Sequence, residues 1–231
     1  MSIVLNLTEY NINIFYMEND LSGYRKSYEK GALLKANVPE NPLELFQKWF
    51  YEVEQTNSAD EVNAMTIATI GLDGYPRGRV VLLKRYTYEG FIFYTNYKSE
   101  KGKSIINNPN VCLSFFWNFA ERQVIIKGKA EKIPENLSDG YFDSRPRGSQ
   151  LGAIASNQSE VVKDREELEH RLQELEKEYV GKQIERPSYW GGFIVKPLEI
   201  EFWQGRENRL HDRIRYTLNK KFDWIITRLA P

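Results

Sequence analysis

The chain has 231 residues, enough for one large domain with a sizeable core, and its 32 Lys+Arg balance 32 Asp+Glu to a formal net charge of zero. That balance argues against a whole-surface nucleic-acid binder, 41% hydrophobic with 28% charged residues argues against disorder, and the single cysteine, Cys112, excludes an intrachain disulfide framework or a cysteine-rich metal centre. No apolar run approaches the ~20 residues of a membrane span and the start of the chain lacks a signal-peptide pattern, so a cytoplasmic location is the default expectation.

In chain order, residues 1–23 read as a flexible N-terminal arm on a single domain covering 1–231, followed by the basic-aromatic stretch Tyr24–Lys30. Asn41 as cap, Pro42 in the first turn and Glu44 three residues after the cap predict a helix that buries Leu43, Phe46, Trp49, Phe50 and Val53. From Ala64 the period changes, and short β-branched or aromatic runs predict strands over 64–70, 79–84, 91–96, 111–117 and 123–129. Gly71-Leu72-Asp73-Gly74 and Glu89-Gly90 supply turns, and 99–107 reads as a short helix stopped before Pro109. A charged helix over 164–179 carries a stripe of Leu168, Leu172, Leu175 and Tyr179. Strands return over 192–203, 209–216 and 222–229. Strands outnumber helices without strict alternation, which points to a β-rich α+β fold, an antiparallel barrel with peripheral helices. The 14 Tyr, 12 Phe and 5 Trp suit such a core and also a site for a planar ligand.

The sequence contains no G-x-G-x-x-G opening a helix, no Walker A sequence, no H-E-x-x-H and no G-x-S-x-G, so common nucleotide, zinc and serine enzymes are excluded and no metal is expected. Four constellations can carry chemistry. If 209–216 is a strand, Arg209, His211, Arg213 and Arg215 share one face, either as a solvated basic edge or as an anion site with a histidine that can hydrogen-bond or move a proton. Arg77–Lys84 is an apolar strand bounded by cations. Tyr141, Arg145 and Ser149 recur every fourth residue and together suit a phosphate, although Pro146 interrupts a regular helix there. Trp190-Gly191-Gly192-Phe193 and Phe202-Trp203-Gln204-Gly205 read first as aromatic core packing. The clusters imply two phosphorylated flat ligands or one large one.

Arg79–Lys84, Phe93-Tyr94-Thr95-Asn96, Glu121-Arg122-Gln123-Val124, Ser144-Arg145-Pro146-Arg147, Gln158-Ser159, Phe202–Gly205 and Arg209–Arg213 occur in order, and Arg228-Leu229-Ala230-Pro231 closes the chain. This ordered set resembles the pyridoxamine (pyridoxine) 5'-phosphate oxidase family from about Tyr24 to Pro231. The resemblance implies an antiparallel split β-barrel that binds FMN as a homodimer, with the flavin at the subunit interface. It implies oxidation of pyridoxine or pyridoxamine 5'-phosphate to pyridoxal 5'-phosphate, with O2 as acceptor and H2O2 as product. By similarity, Arg79, Val80, Val81, Leu82, Leu83, Lys84, Tyr94, Thr95, Lys101, Gln123, Gln158, Ser159, Trp203 and Arg213 hold FMN. Lys84, Tyr141, Arg145 and Ser149 hold the substrate phosphate, and Arg209 and His211 face the pyridine ring as the catalytic pair. Arg25, Lys26, Ser27 and Tyr28 match a mobile segment that covers the site. Glu100 departs from the family, which often has Arg beside the lysine corresponding to Lys101. The alternatives are a split-barrel flavoenzyme with another substrate, such as a phenazine-type oxidase or a flavin reductase, and a non-catalytic flavin or pyridoxal phosphate binder.

Overall fold

A computed structural model describes residues 20–56 and 61–231, so most of the arm expected over 1–23 lies outside the described residues. Asn41 caps the first helix, α1 (Pro42–Gln55), by accepting from Leu43 N at 2.9 Å. Phe46 of this helix is fully buried and forms the hub of the core, with the rings of Phe50, Tyr86, Phe91, Phe115 and Trp117 between 4.9 and 6.2 Å away. Much of the chain's aromatic content is thereby spent on packing.

The strands are β1 (Ala64–Ile70), β2 (Pro76–Leu82), β3 (Arg85–Thr87), β4 (Gly90–Asn96), β5 (Asn110–Trp117), β6 (Arg122–Lys132), β7 (Trp190–Gln204), β8 (Asp212–Leu218) and β9 (Trp224–Leu229). All pair antiparallel, in the order β2-β1-β5-β6-β7-β4-β3, with β8 and β9 continuing from β7. Strand β7 is the branch point. One side pairs with β6, while on the other its first half pairs with β4 and its second half with β8. Lys84 N bonds Ile92 O at 2.9 Å and ties the end of β2 to β4, which curls the sheet. The register shifts at Lys127/Gly128, where a Cβ on Gly128 would stand 2.3 Å from Lys196 O, so the bulge requires glycine.

Five helices complete the described chain: α1, α2 (Glu100–Asn107), α3 (Glu135–Asp143), α4 (Arg147–Ala155) and α5 (Arg165–Glu178). Leu172 and Leu175 of α5, with Tyr179 just past its end, pack on a second core of Phe142, Leu151, Ile184 and Trp190. The expected antiparallel barrel with peripheral helices is the architecture found. Three strand boundaries are corrected: 79–84 is β2 over Pro76–Leu82, 222–229 starts at Trp224 because Phe222 (φ 66°) is left-handed, and 209–216 does not begin at Arg209, so Arg209 and His211 lie outside the strand that carries Arg213 and Arg215. Asn208 (φ 54°) and Arg209 (φ 60°) adopt left-handed conformations in a 3-10 turn, which no strand tolerates, and β8 starts at Asp212.

Candidate functional site

Arg145 stands in the break between α3 and α4, where Pro146 ends one helix run and precedes the next. The break keeps Tyr141, Arg145 and Ser149 on one wall of a cavity of about 500 Å³. The lining also includes Val80, Val81, Leu82 and Lys84 from β2 and its end, Tyr94 and Thr95 from β4, Lys101 from α2, and Gln158. The lining has three cations and no carboxylate. Nη1 of Arg145 is buried with no hydrogen-bond partner, and burial lowers the guanidinium's pKa, with Tyr141 acting the other way. Burial also lowers the pKa of Lys101, as does nearby Arg79; Glu100 opposes both. Burial likewise lowers that of Arg79, which donates to Thr69 Oγ1 (2.6 Å) and Arg77 O (2.7 Å). Desolvated cations in a lining without a carboxylate favour a bound anion, with Glu100 the one nearby acid that acts on Arg79 and Lys101 among the described residues.

Flat rings form the rest of the wall. Tyr94 stacks on Tyr141 at 3.9 Å and lies nearly parallel to Trp190 at 5.6 Å, and the Arg145 guanidinium sits 4.6 Å from the Trp190 ring centre. Trp190 was read from sequence as core packing. It is 7% exposed, yet it also lines the cavity, and only its neighbouring glycines hinted at close approach. Gln158 Oε1 accepts from Thr95 Oγ1 (3.1 Å) and Lys101 Nζ (3.3 Å). Ser159 (φ 76°) follows it but faces an adjoining cleft, while Leu83 is buried in the core rather than lining the cavity. Glu100 pairs with Arg77, away from this lining.

The remaining predicted residues gather elsewhere. Gln123, Trp203 and Arg213 are cross-strand neighbours on β6, β7 and β8. Gln123 donates to Ser114 Oγ (3.1 Å), and Arg213 donates to Glu201 Oε1 (2.7 Å) and Ala230 O (3.0 Å). His211 packs on Trp203 at 4.7 Å, and its Nδ1 accepts from Arg206 N at 3.1 Å, which leaves Nε2–H as a donor. Tyr28 sets its ring edge against both Trp203 and His211 at 5.7 Å. Lys26 lies 3.6 Å from Glu121, while Arg25 and Ser27 are exposed. Arg209 is exposed at the tip of its turn. Trp190 and Trp203 are thirteen residues apart on one strand, roughly 40 Å if extended. One chain therefore brings the cation cavity together and the His211 cluster together, but not the two with each other.

The register puts Val80, Thr66, Ser114, Ile125, Glu201 and Arg215 in one row across the outer sheet face, beside the row of Phe116, Gln123, Trp203 and Arg213. On this face Val80 is 67% and Phe116 58% exposed. Among the described residues there is no cluster of His, Cys, Asp and Glu that could hold a metal, and no helix long and apolar enough to cross a membrane.

A family profile described as "Pyridoxamine 5'-phosphate oxidase" matches residues 54–179, and one described as "Pyridoxine 5'-phosphate oxidase C-terminal dimerisation region" matches 190–231. The chain is 68% identical over 212 residues to a pyridoxine/pyridoxamine 5'-phosphate oxidase of Flavobacterium psychrophilum, covering 92% of this chain and 99% of the relative. It is 65% identical, over the same shares, to that of Flavobacterium johnsoniae. Among solved structures, PhzG of Burkholderia lata 383, in complex with tetrahydrophenazine-1-carboxylic acid, superposes with a TM-score of 0.81 at 28% identity, covering 89% of this chain and all of that one. An FMN-binding protein of Nostoc punctiforme related to pyridoxamine 5'-phosphate oxidase matches at a TM-score of 0.66 and 13% identity, covering 84% of this chain and all of that one, a likeness of fold.

Proposed function

The chain belongs to the pyridoxine/pyridoxamine 5'-phosphate oxidase family, and from that premise we propose how its residues perform the family's reaction. The enzyme oxidises C4' of pyridoxine 5'-phosphate or pyridoxamine 5'-phosphate to the aldehyde of pyridoxal 5'-phosphate. The alcohol and O2 give aldehyde and H2O2; the amine, O2 and water give aldehyde, ammonia and H2O2. FMN held in this cavity would supply the hydride acceptor, with O2 as the final electron acceptor.

The cavity suits both ligands. The buried, unpartnered Nη1 of Arg145 calls for an anionic acceptor, and this observation carries the reading. Lys84, Tyr141, Arg145 and Ser149 take the substrate phosphate. Arg79, Lys101 and Gln158 take the flavin phosphate, with Thr95 and Ser159 beside them, while Val80–Leu82 and Tyr94 border the flavin. Glu100 is occupied by Arg77, so the phosphate end relies on Arg79 and Lys101.

Gln123, Trp203 and Arg213 meet the same flavin from a second copy of the chain. The outer sheet face carries Val80 at one end and Trp203 at the other, so a two-fold contact on it joins one copy's cavity to the other's His211 cluster. The match of 190–231 to a dimerisation region supports this homodimer. In it, Arg209 and His211 orient the pyridine ring, with the Nε2–H of His211 as a hydrogen-bond donor. A phenazine carboxylate would also satisfy Arg145, so the choice of a phosphorylated pyridine rests on the 68% and 65% identical relatives.

The test is direct. Purified protein should show a flavin visible spectrum that bleaches without oxygen on addition of pyridoxamine 5'-phosphate, and under air should form the aldehyde with matching O2 uptake. A flavin-bound protein that forms no aldehyde from either phosphorylated substrate would overturn the reading.

A further inference from the structure

Glu121 has no part in the reaction described above, yet its side chain is only 2% exposed. It follows the 3-10 turn Asn118–Ala120 in a left-handed conformation (φ 56°), uncommon for a residue with a side chain. Its Oε2 accepts the consecutive main-chain N–H groups of Glu29 (2.8 Å) and Lys30 (2.9 Å), and Lys26 Nζ lies 3.6 Å from Oε1. Among the described residues, every polar partner of this carboxylate comes from 26–30. Its main-chain oxygen accepts from Gly205 N (2.8 Å) and Gln204 Nε2 (3.2 Å), which fastens the acid to the end of β7. Tyr28, inside the clamped stretch, is the residue that closes on Trp203 and His211.

We propose that Glu121 is a positioning residue that latches residues 26–30 over the substrate end of the site and so fixes Tyr28 against His211. The inference rests on the functional reading above. A buried carboxylate is stable only while donors surround it, and here the segment itself brings all of them. Two successive N–H groups converging on one oxygen also set register: a slip by one residue would leave one N–H and the carboxylate mismatched. An apolar patch could hold the segment but not index it.

The experiment uses the FMN-loaded protein with three variants, Glu121→Ala, Glu121→Gln and Gly205→Ala. Two readouts are taken: the rate of tryptic cleavage after Arg25, Lys26 and Lys30, and kcat and KM for pyridoxamine 5'-phosphate. Glu121→Ala should speed cleavage and raise KM, each by about tenfold or more, with a smaller change in kcat. Glu121→Gln keeps an acceptor oxygen and should fall between Ala and wild type. Gly205→Ala keeps the Glu121 carboxylate, but its Cβ would stand 2.8 Å from Tyr28 Cγ and 3.1 Å from Glu121 Cβ, so it presses on both halves of the latch, should reproduce the released segment, and carries the test if Glu121→Ala folds poorly. Wild-type cleavage and KM in both Ala variants would overturn the proposal, as would a loss of kcat alone with cleavage unchanged. Faster cleavage in the variants of a protein that forms no aldehyde would uphold the latch while rejecting the functional reading.

Discussion

Arg145 and Arg213 show how differently one residue type can stand. Arg145 is half-buried beside Trp190 with one nitrogen unpartnered, whereas Arg213 already bonds Glu201 and Ala230 O. The first has a buried donor without an acceptor; the second has its donors engaged within the fold. Arg209, exposed on its left-handed turn, and His211, fixed by Arg206 N, differ again, because each offers donors away from its own chain's core. Hydrogen bonds to a charged group are worth ~1.5–3 kcal/mol, so Arg209→Ala and His211→Ala should each lower kcat/KM by ~10- to 150-fold. The bound-flavin spectrum should stay normal in both. Arg213→Ala should instead weaken FMN first, read by flavin fluorescence on dilution. Near-wild-type kcat/KM for both Arg209→Ala and His211→Ala would reject their assignment. Cations and tyrosines of this kind are legible in a sequence because charge in an uncharged neighbourhood stands out. Glu121 was not, since its donors come from about ninety residues away. Trp190 was only half legible, because a tryptophan that lines a cavity and one that fills a core have the same local pattern.

At the scale of elements, one buried acid joins three segments. Asp212, the first residue of β8, accepts from Leu33 N at 3.0 Å and from Arg228 of β9, with Arg206 at 3.6 Å. Burial alone would raise its pKa, but the Leu33 N–H and the two arginines outweigh it and hold it below the usual value. Its stabilising contribution is therefore complete above the ordinary aspartate pKa of about 3.9 and drains away as pH falls through the lower folded value. Asp212→Asn should cost about 3 kcal/mol near neutrality, a loss of several degrees in Tm, and the gap to wild type should narrow as the pH drops below about 4. A gap independent of pH would assign the cost to packing. Elements carrying their own punctuation were readable beforehand: α1 from Asn41-Pro42, and β1 from its β-branched residues ahead of the Gly71–Gly74 turn. Those set by tertiary contact were not. The three-residue β3 owes its existence to β4, and the start of β8 depends on a turn that Arg209, with its ordinary strand propensity, does not announce.

For the molecule as a whole, the curled sheet leaves its outer face dressed with Val80, Phe116 and Ile225, all exposed in a single chain. A dimer on that face completes two sites at once, so dissociation should remove flavin and activity together. Diluting the protein through its association range, with mass followed by light scattering, should show the three falling in parallel; a fully active, flavin-bound monomer would reject the shared site. The composition foretold a barrel, but nothing in the periodicity of β7 says that one end lines the cation cavity while the other packs on His211. That long strand has a consequence for inheritance. A cell carrying one allele broken at Arg145 and another broken at His211 makes no sound polypeptide. If the two copies share each site as proposed, random assortment would yield mixed pairs in which one pocket receives both intact halves, so about a quarter of normal output would return. Two alleles damaged at the same end would rescue nothing, and a pedigree or a plasmid cross could tell the ends of one β-strand apart.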